Sequence, residues 1–173
     1  FHDAPSQRFY MRTAFSAQGD AGASLNELEA GFAPIARRFD MAWRFYDADI
    51  RPKILIAVSQ QGHCFQDLMH RVETGWLAAD VVGVVSNHAA MEGYAAFHKA
   101  PYHLIPVSAE TKPQAEAALL KLMADTDAEL LVLARYMQIL SAGAAKALEG
   151  RCINIHHSFL PSFKGASPYA QAH

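Results

Sequence analysis

Three polar side chains at alternate positions, Asn154, His156 and Ser158, close a short apolar run in CINIHHSFLPSFKG. Successive side chains of a strand point to opposite faces, so these three share one face while Ile153, Ile155 and His157 share the other. An amide and an imidazole converging on one side of a strand tip suit a carbonyl reaction. Histidine can donate to a developing oxyanion or move a proton near neutral pH, and asparagine can donate a neutral hydrogen bond to the same oxygen. The same two residue types also end strands as ordinary hydrogen-bonded structural groups, so the surroundings must separate the readings. His157, turned with the isoleucines, reads as a supporting or packing residue.

The remaining histidines offer less. His63, His70, His88, His98 and His103 have no HxH or HxxxH partner at metal-ligand spacing, so each reads as a surface or capping residue and no metal is expected. Cys64 and Cys152 lie far apart without a CxxC partner, which points to a reduced, cytoplasmic compartment rather than a disulfide framework or a zinc knuckle. Cys152 sits in an expected buried strand and reads as inert, and nothing but His63 lies beside Cys64 to activate it.

The elements that must carry these residues follow from the hydrophobic pattern. Pro52 disfavours helix at Arg51, and a continuous apolar strand follows at 53–58. Helices and strands then alternate: a helix bearing Phe65, Leu68, Met69 and Val72, a strand at 80–86, a helical stretch at 91–99 and a strand at 103–107. A helix bearing Ala118, Leu119, Leu122 and Met123 leads to a strand at 129–135. A last helix runs from Ser141 as N-cap to Gly150 just past its end, before the strand that begins at Cys152. Buried strands separated by amphipathic helices predict a doubly wound, Rossmann-like α/β domain over residues 51–173.

Ligands of such sheets bind beyond the carboxyl ends of the strands. The candidate walls are therefore 59–64, 86–91, 107–111, 134–141 and 153–161. The loop SQQGHC holds one glycine, too few for the backbone cradle that phosphates and dinucleotides generally need. In ARYMQILS, the apolar Met137, Ile139 and Leu140 either line a pocket for a flat heterocycle or simply cap the core.

Residues 1–50 follow a different logic. RFYMRTAF at 8–15 and MAWRFYDA at 41–48 alternate as half-buried strands, and a helix lies between them. Ser24 and Glu27 form a capping-box signature, with Leu28, Phe32, Ile35, Ala36 and Phe39 at helical spacing. The Pro- and Ser-containing FHDAPSQ reads as a hairpin turn leaving a strand, so the chain is expected to be a piece cut at both ends.

A net charge of −2 from 15 basic and 17 acidic residues gives no footprint for nucleic acid. No apolar run approaches the roughly 20 residues that span a bilayer, and no signal-peptide pattern opens the chain.

SQQGHC, LARYMQILS and above all INIHHSFLPSFKGASPY together resemble the formyltetrahydrofolate deformylase family, over nearly all of residues 52–173. The N-terminal piece resembles the second half of a ferredoxin-like α+β ACT domain. The resemblance implies a formyltransferase-type sheet and hydrolysis of 10-formyltetrahydrofolate to tetrahydrofolate and formate, with water replacing the amine acceptor of related transferases. It implies a role in balancing the one-carbon folate pool, which feeds purine biosynthesis. Asn154 and His156 would polarise the formyl group. Arg135, Met137, Ile139 and Leu140 would wall the pterin pocket, with Ser158 among the substrate contacts. The third catalytic group, an aspartate, would lie beyond residue 173. No cofactor is implied, because the folate is the substrate. The expected partners are folate and water, an amino-acid effector at the ACT-like part, and further copies of the chain in a homo-oligomer. Two rivals stand beside this reading: a phosphoribosylglycinamide formyltransferase using the same donor, and a folate- and amino-acid-sensing module without catalysis.

Overall fold

The computed structural model describes residues 2–3, 8–16 and 23–154, and the contacts among residues divide the chain after Ile50. In the first unit, β1 (His2–Asp3) and β2 (Arg8–Phe9) pair as an antiparallel hairpin. The helix α1 (Leu25–Arg38) opens on a complete capping box. Ser24 Oγ accepts from the Glu27 N–H at 3.3 Å, and the Glu27 carboxylate accepts from the Ser24 N–H at 2.8 Å. Pro34 stands inside α1 and removes one i to i−4 hydrogen bond, so packing must compensate. The Phe32 ring meets Trp43 at 5.1 Å and Phe45 at 5.5 Å edge-on, and Phe45 also meets Phe15 at 5.9 Å.

The expected strands at 8–15 and 41–48 are not formed: only Arg8–Phe9 is strand, and 41–47 has no regular structure. Alternation reports a face and not a ladder. Trp43 and Phe45 do turn to the same side, toward Phe32, but among the described residues strand pairing extends only to Arg8–Phe9, opposite His2–Asp3.

The second unit is a parallel sheet of β3 (Lys53–Val58), β4 (Asp80–Ser86), β5 (Tyr102–Leu104), β6 (Leu130–Leu133) and β7 (Cys152–Asn154), in the order β5-β4-β3-β6-β7. The central strand β3 is buried from Ile54 to Val58, which is why its sequence does not alternate. Ile54, Ile56 and Val58 pack on one side with Phe65 and Met69 of α2 (His63–Glu73) and Ala95 of α3 (Glu92–Phe97). On the other side, Leu55 and Ala57 pack with Leu119 and Met123 of α4 (Lys112–Asp125) and with Leu148, the residue that caps α5 (Ala142–Ala147). Each fully buried side chain of this size contributes roughly 1.5–3 kcal/mol.

Several boundaries differ from the pattern-based expectation, among them the end of α5, which is Ala147 rather than the residue before Gly150. The stretch at 91–99 starts earlier, as a 3-10 turn at Ala89–Met91, and its helix ends at Phe97. The strand placed at 103–107 is Tyr102–Leu104: Ile105 N–H still reaches Ser86 O at 2.8 Å, and Pro106, with no N–H, ends the pairing. The strand placed at 129–135 stops at Leu133, because the backbone turns left-handed at Arg135 (φ 60°).

The chain moves outward from β3 through β4 to β5, then returns by way of α4 to lay β6 on the opposite side of β3. The carboxyl ends of β3 and β6 therefore part at a topological switch point, where a sheet of this kind leaves a crevice.

Candidate active site

An open cleft of about 310 Å³ lies at that switch point, within the range of small-molecule sites. Ser59, Gln60 and Gln61 reach it from the end of β3, His88 from the end of β4, and Arg135, Met137 and Gln138 from the end of β6. The lining is mostly polar, with amides that both donate and accept. His88 is held through its backbone: its N–H donates to Ser86 Oγ at 3.1 Å, and its carbonyl accepts from the Tyr102 hydroxyl. Beside it, Asn87 Oδ1 is buried without a hydrogen-bond partner among the described residues.

The wall from β3 is fitted closely against the turn after β4. A Cβ on Gly62 would stand 2.5 Å from the Met91 sulfur, so this position requires glycine for close approach rather than for an unusual φ.

The wall from β6 is strained. Arg135 and Met137 both adopt left-handed backbone (φ 60° and 59°), flanking Tyr136, which is 5% exposed. The other described non-glycine residues with positive φ, Asp40, Lys99 and Asp127, each follow a helix end, where that conformation is routine. Two such residues in a loop cost about 1–3 kcal/mol each and persist only where the surroundings hold them. The segment is pinned at its start, where Ala134 N–H donates to Ala57 O at 2.8 Å. At its end, the Glu116 carboxylate of α4 accepts both the N–H and the hydroxyl of Ser141, at 2.7 and 2.5 Å. Those hydrogen bonds, the hydroxyl's foremost, hold the Glu116 carboxyl below its usual range against the opposing effect of partial burial, and the Lys112 charge adds to the lowering. Burial, and then the Glu116 charge, push the Tyr136 hydroxyl above its usual value.

Of the residues expected in the site, Arg135 and Met137 therefore meet in the cleft. Ile139, 86% exposed, and Leu140 line a separate, much tighter recess with Val107, Glu116 and Tyr136. Asn154 is the exposed last residue of β7, level in register with Leu133 and hence at the same end of the sheet as the cleft. His156 and Ser158 lie outside the described residues. The strand that leads to them was expected to be buried. It is instead outermost among the described strands, with Ile153 52% exposed, because no described neighbour covers its far side. Cys152 is half-buried, and burial raises its thiol, in keeping with an unreactive side chain.

Gln60, Gln61, His88 and Gln138 line the cleft without having been singled out. Their loops were recognisable as strand ends, and His88 was set aside only because it has no metal-ligand spacing. Among the described residues no cluster suited to a metal is present, and no helix is long and apolar enough to cross a membrane.

A parallel sheet wound on both sides, with a polar cleft at its switch point and an exposed asparagine on the strand beyond, defines an α/β domain of the formyltransferase type. Residues 52–173 match the formyl transferase family, and the chain belongs to that family. A formyltetrahydrofolate deformylase of Corynebacterium sp. (strain P-1) is 47% identical over 173 residues, covering 99% of this chain and 60% of its own length. The crystal structure of a formyltetrahydrofolate deformylase from Pseudomonas putida KT2440 superimposes with a TM-score of 0.80 at 44% identity, covering 99% of this chain and 61% of that one. A phosphoribosylglycinamide formyltransferase from Coxiella burnetii superimposes with a TM-score of 0.62 at 29% identity, covering 71% of this chain and 59% of that one. The chain thus spans about 60% of the length of the deformylases it matches.

Proposed function

We propose that the protein to which this chain belongs hydrolyses 10-formyltetrahydrofolate to tetrahydrofolate and formate. The observation that carries this reading is coverage: the deformylase relatives match 84–99% of the chain. The transferase structure matches 71%, about the share that residues 51–173 make up. A protein sharing both units is a closer guide to activity than one sharing the sheet alone. The loop at 59–64 supports the same choice, since one glycine among two glutamines is a poor cradle for the phosphate of a ribonucleotide acceptor.

In the mechanism we infer, a water attacks the formyl carbon and gives up a proton to an aspartate carried beyond residue 173. The Asn154 amide and the protonated His156 imidazole donate to the oxyanion of the tetrahedral intermediate. The bond from carbon to N10 then breaks, N10 leaves with a proton, and formate remains. Arg135 and Met137 contact the folate in the cleft, with Ser158 among its further contacts. Residues 1–50 form part of an ACT-like module, which takes an amino-acid effector and joins copies of the chain. The capped, amphipathic α1 and its aromatic cluster support that assignment.

The direct test is Asn154→Ala in the full-length protein. Turnover falls by roughly a hundredfold or more, the scale of losing one oxyanion donor, while the folate KM changes little. An unchanged kcat removes Asn154 from the mechanism.

A further inference from the structure

We propose that Glu116 of α4, which does not line the cleft, is a positioning residue that sets the backbone of the substrate wall at 134–141. Both oxygens of its carboxylate are committed to one residue: Oε1 accepts the Ser141 N–H at 2.7 Å and Oε2 accepts the Ser141 hydroxyl at 2.5 Å. Ser141 Oγ in turn accepts the Ala144 N–H at 3.2 Å, as the N-cap of α5. With both its polar hydrogens held and its oxygen occupied, Ser141 has one orientation. Among the described residues, these are the only side-chain hydrogen bonds that reach the segment 135–141 from another element.

The consequence lies upstream. Between the anchors at Ala134 and Ser141, the chain adopts the two left-handed residues Arg135 and Met137, which line the cleft. A left-handed non-glycine backbone relaxes when released, because a lower conformation is always nearby. Glu116 is the clamp that prevents this. Tyr136, buried between the strained pair and within the field of the Glu116 charge, transmits the constraint by packing. The residue touches no reacting atom, and its effect falls on the shape of the wall and so on binding.

This inference rests on the reading that the wall contacts folate. The test compares full-length wild type, Glu116→Ala and Glu116→Gln for hydrolysis of 10-formyltetrahydrofolate, together with amide hydrogen exchange across 135–141. Glu116→Ala raises KM about tenfold, the worth of one charge-assisted hydrogen bond. It changes kcat less than about threefold and speeds exchange in 135–141 selectively. Glu116→Gln keeps an acceptor for the Ser141 N–H and recovers most of the KM. An active wild type whose alanine and glutamine variants both keep its KM overturns this inference alone. A fall in kcat at constant KM does the same. A wild type without hydrolysis overturns the functional reading, and this one with it.

Discussion

Gly62→Ala sets two opposing effects against each other, and the structure decides which wins. Gly62 has φ −100° and ψ −3°, a backbone that any residue adopts, so a methyl group there would ordinarily stabilise the fold by about 0.4–1 kcal/mol through the unfolded chain. The same methyl would stand 2.5 Å from the Met91 sulfur and 3.5 Å from its terminal methyl. Met91 is 7% exposed, so its side chain must be pushed into filled space, at a cost of about 1–3 kcal/mol. Methionine adapts better than a branched side chain, which favours the lower half of that range. The net result is a loss of about 1 kcal/mol, with Gln60 and Gln61 displaced from the cleft. Urea unfolding of wild type, Gly62→Ala, Met91→Ala and the double variant measures it. The double variant is more stable than the sum of the single losses predicts, by about 1 kcal/mol, because the truncated side chain makes room for the methyl. A Gly62→Ala protein as stable as wild type, or strictly additive losses, would refute the steric argument.

Phe65→Ala removes a fully buried ring between α2 and β3 and lowers stability by about 3–5 kcal/mol, read from the same unfolding curves. The Glu116 carboxyl is held below its ordinary value near 4.5 in the folded state, so its contribution is complete above that value and is lost as pH falls through the folded one. The stability difference between wild type and Glu116→Gln is therefore constant near neutrality and narrows under acid conditions, as thermal unfolding across pH will show.

The central strands were legible because burial on both faces writes an unbroken apolar run: 53–58 and 80–86 stand as the hydrophobic pattern implied. The capping box of α1 was equally plain, since Ser24 and Glu27 interact over three residues. What depends on partners was not. The alternating segments at 8–15 and 41–48 show which way Phe15, Trp43 and Phe45 face, but among the described residues the only ladder in them is the two-residue pairing at Arg8–Phe9. The site was legible as a set of strand ends and illegible as a cleft. Which ends face one another follows from the return of α4 across β3, and that return brings Gln60 and Gln61 opposite Arg135. The left-handed turns at Arg135 and Met137 carry no glycine to announce them, and the Glu116 clamp joins residues 25 positions apart.

The account is tested most directly by supplying the full-length protein with 10-formyltetrahydrofolate and no amine acceptor, and following formate. Release of formate, in step with tetrahydrofolate, is the predicted result. Formyl transfer only when glycinamide ribonucleotide is added, with no formate in its absence, would contradict it and place the chain with the transferases.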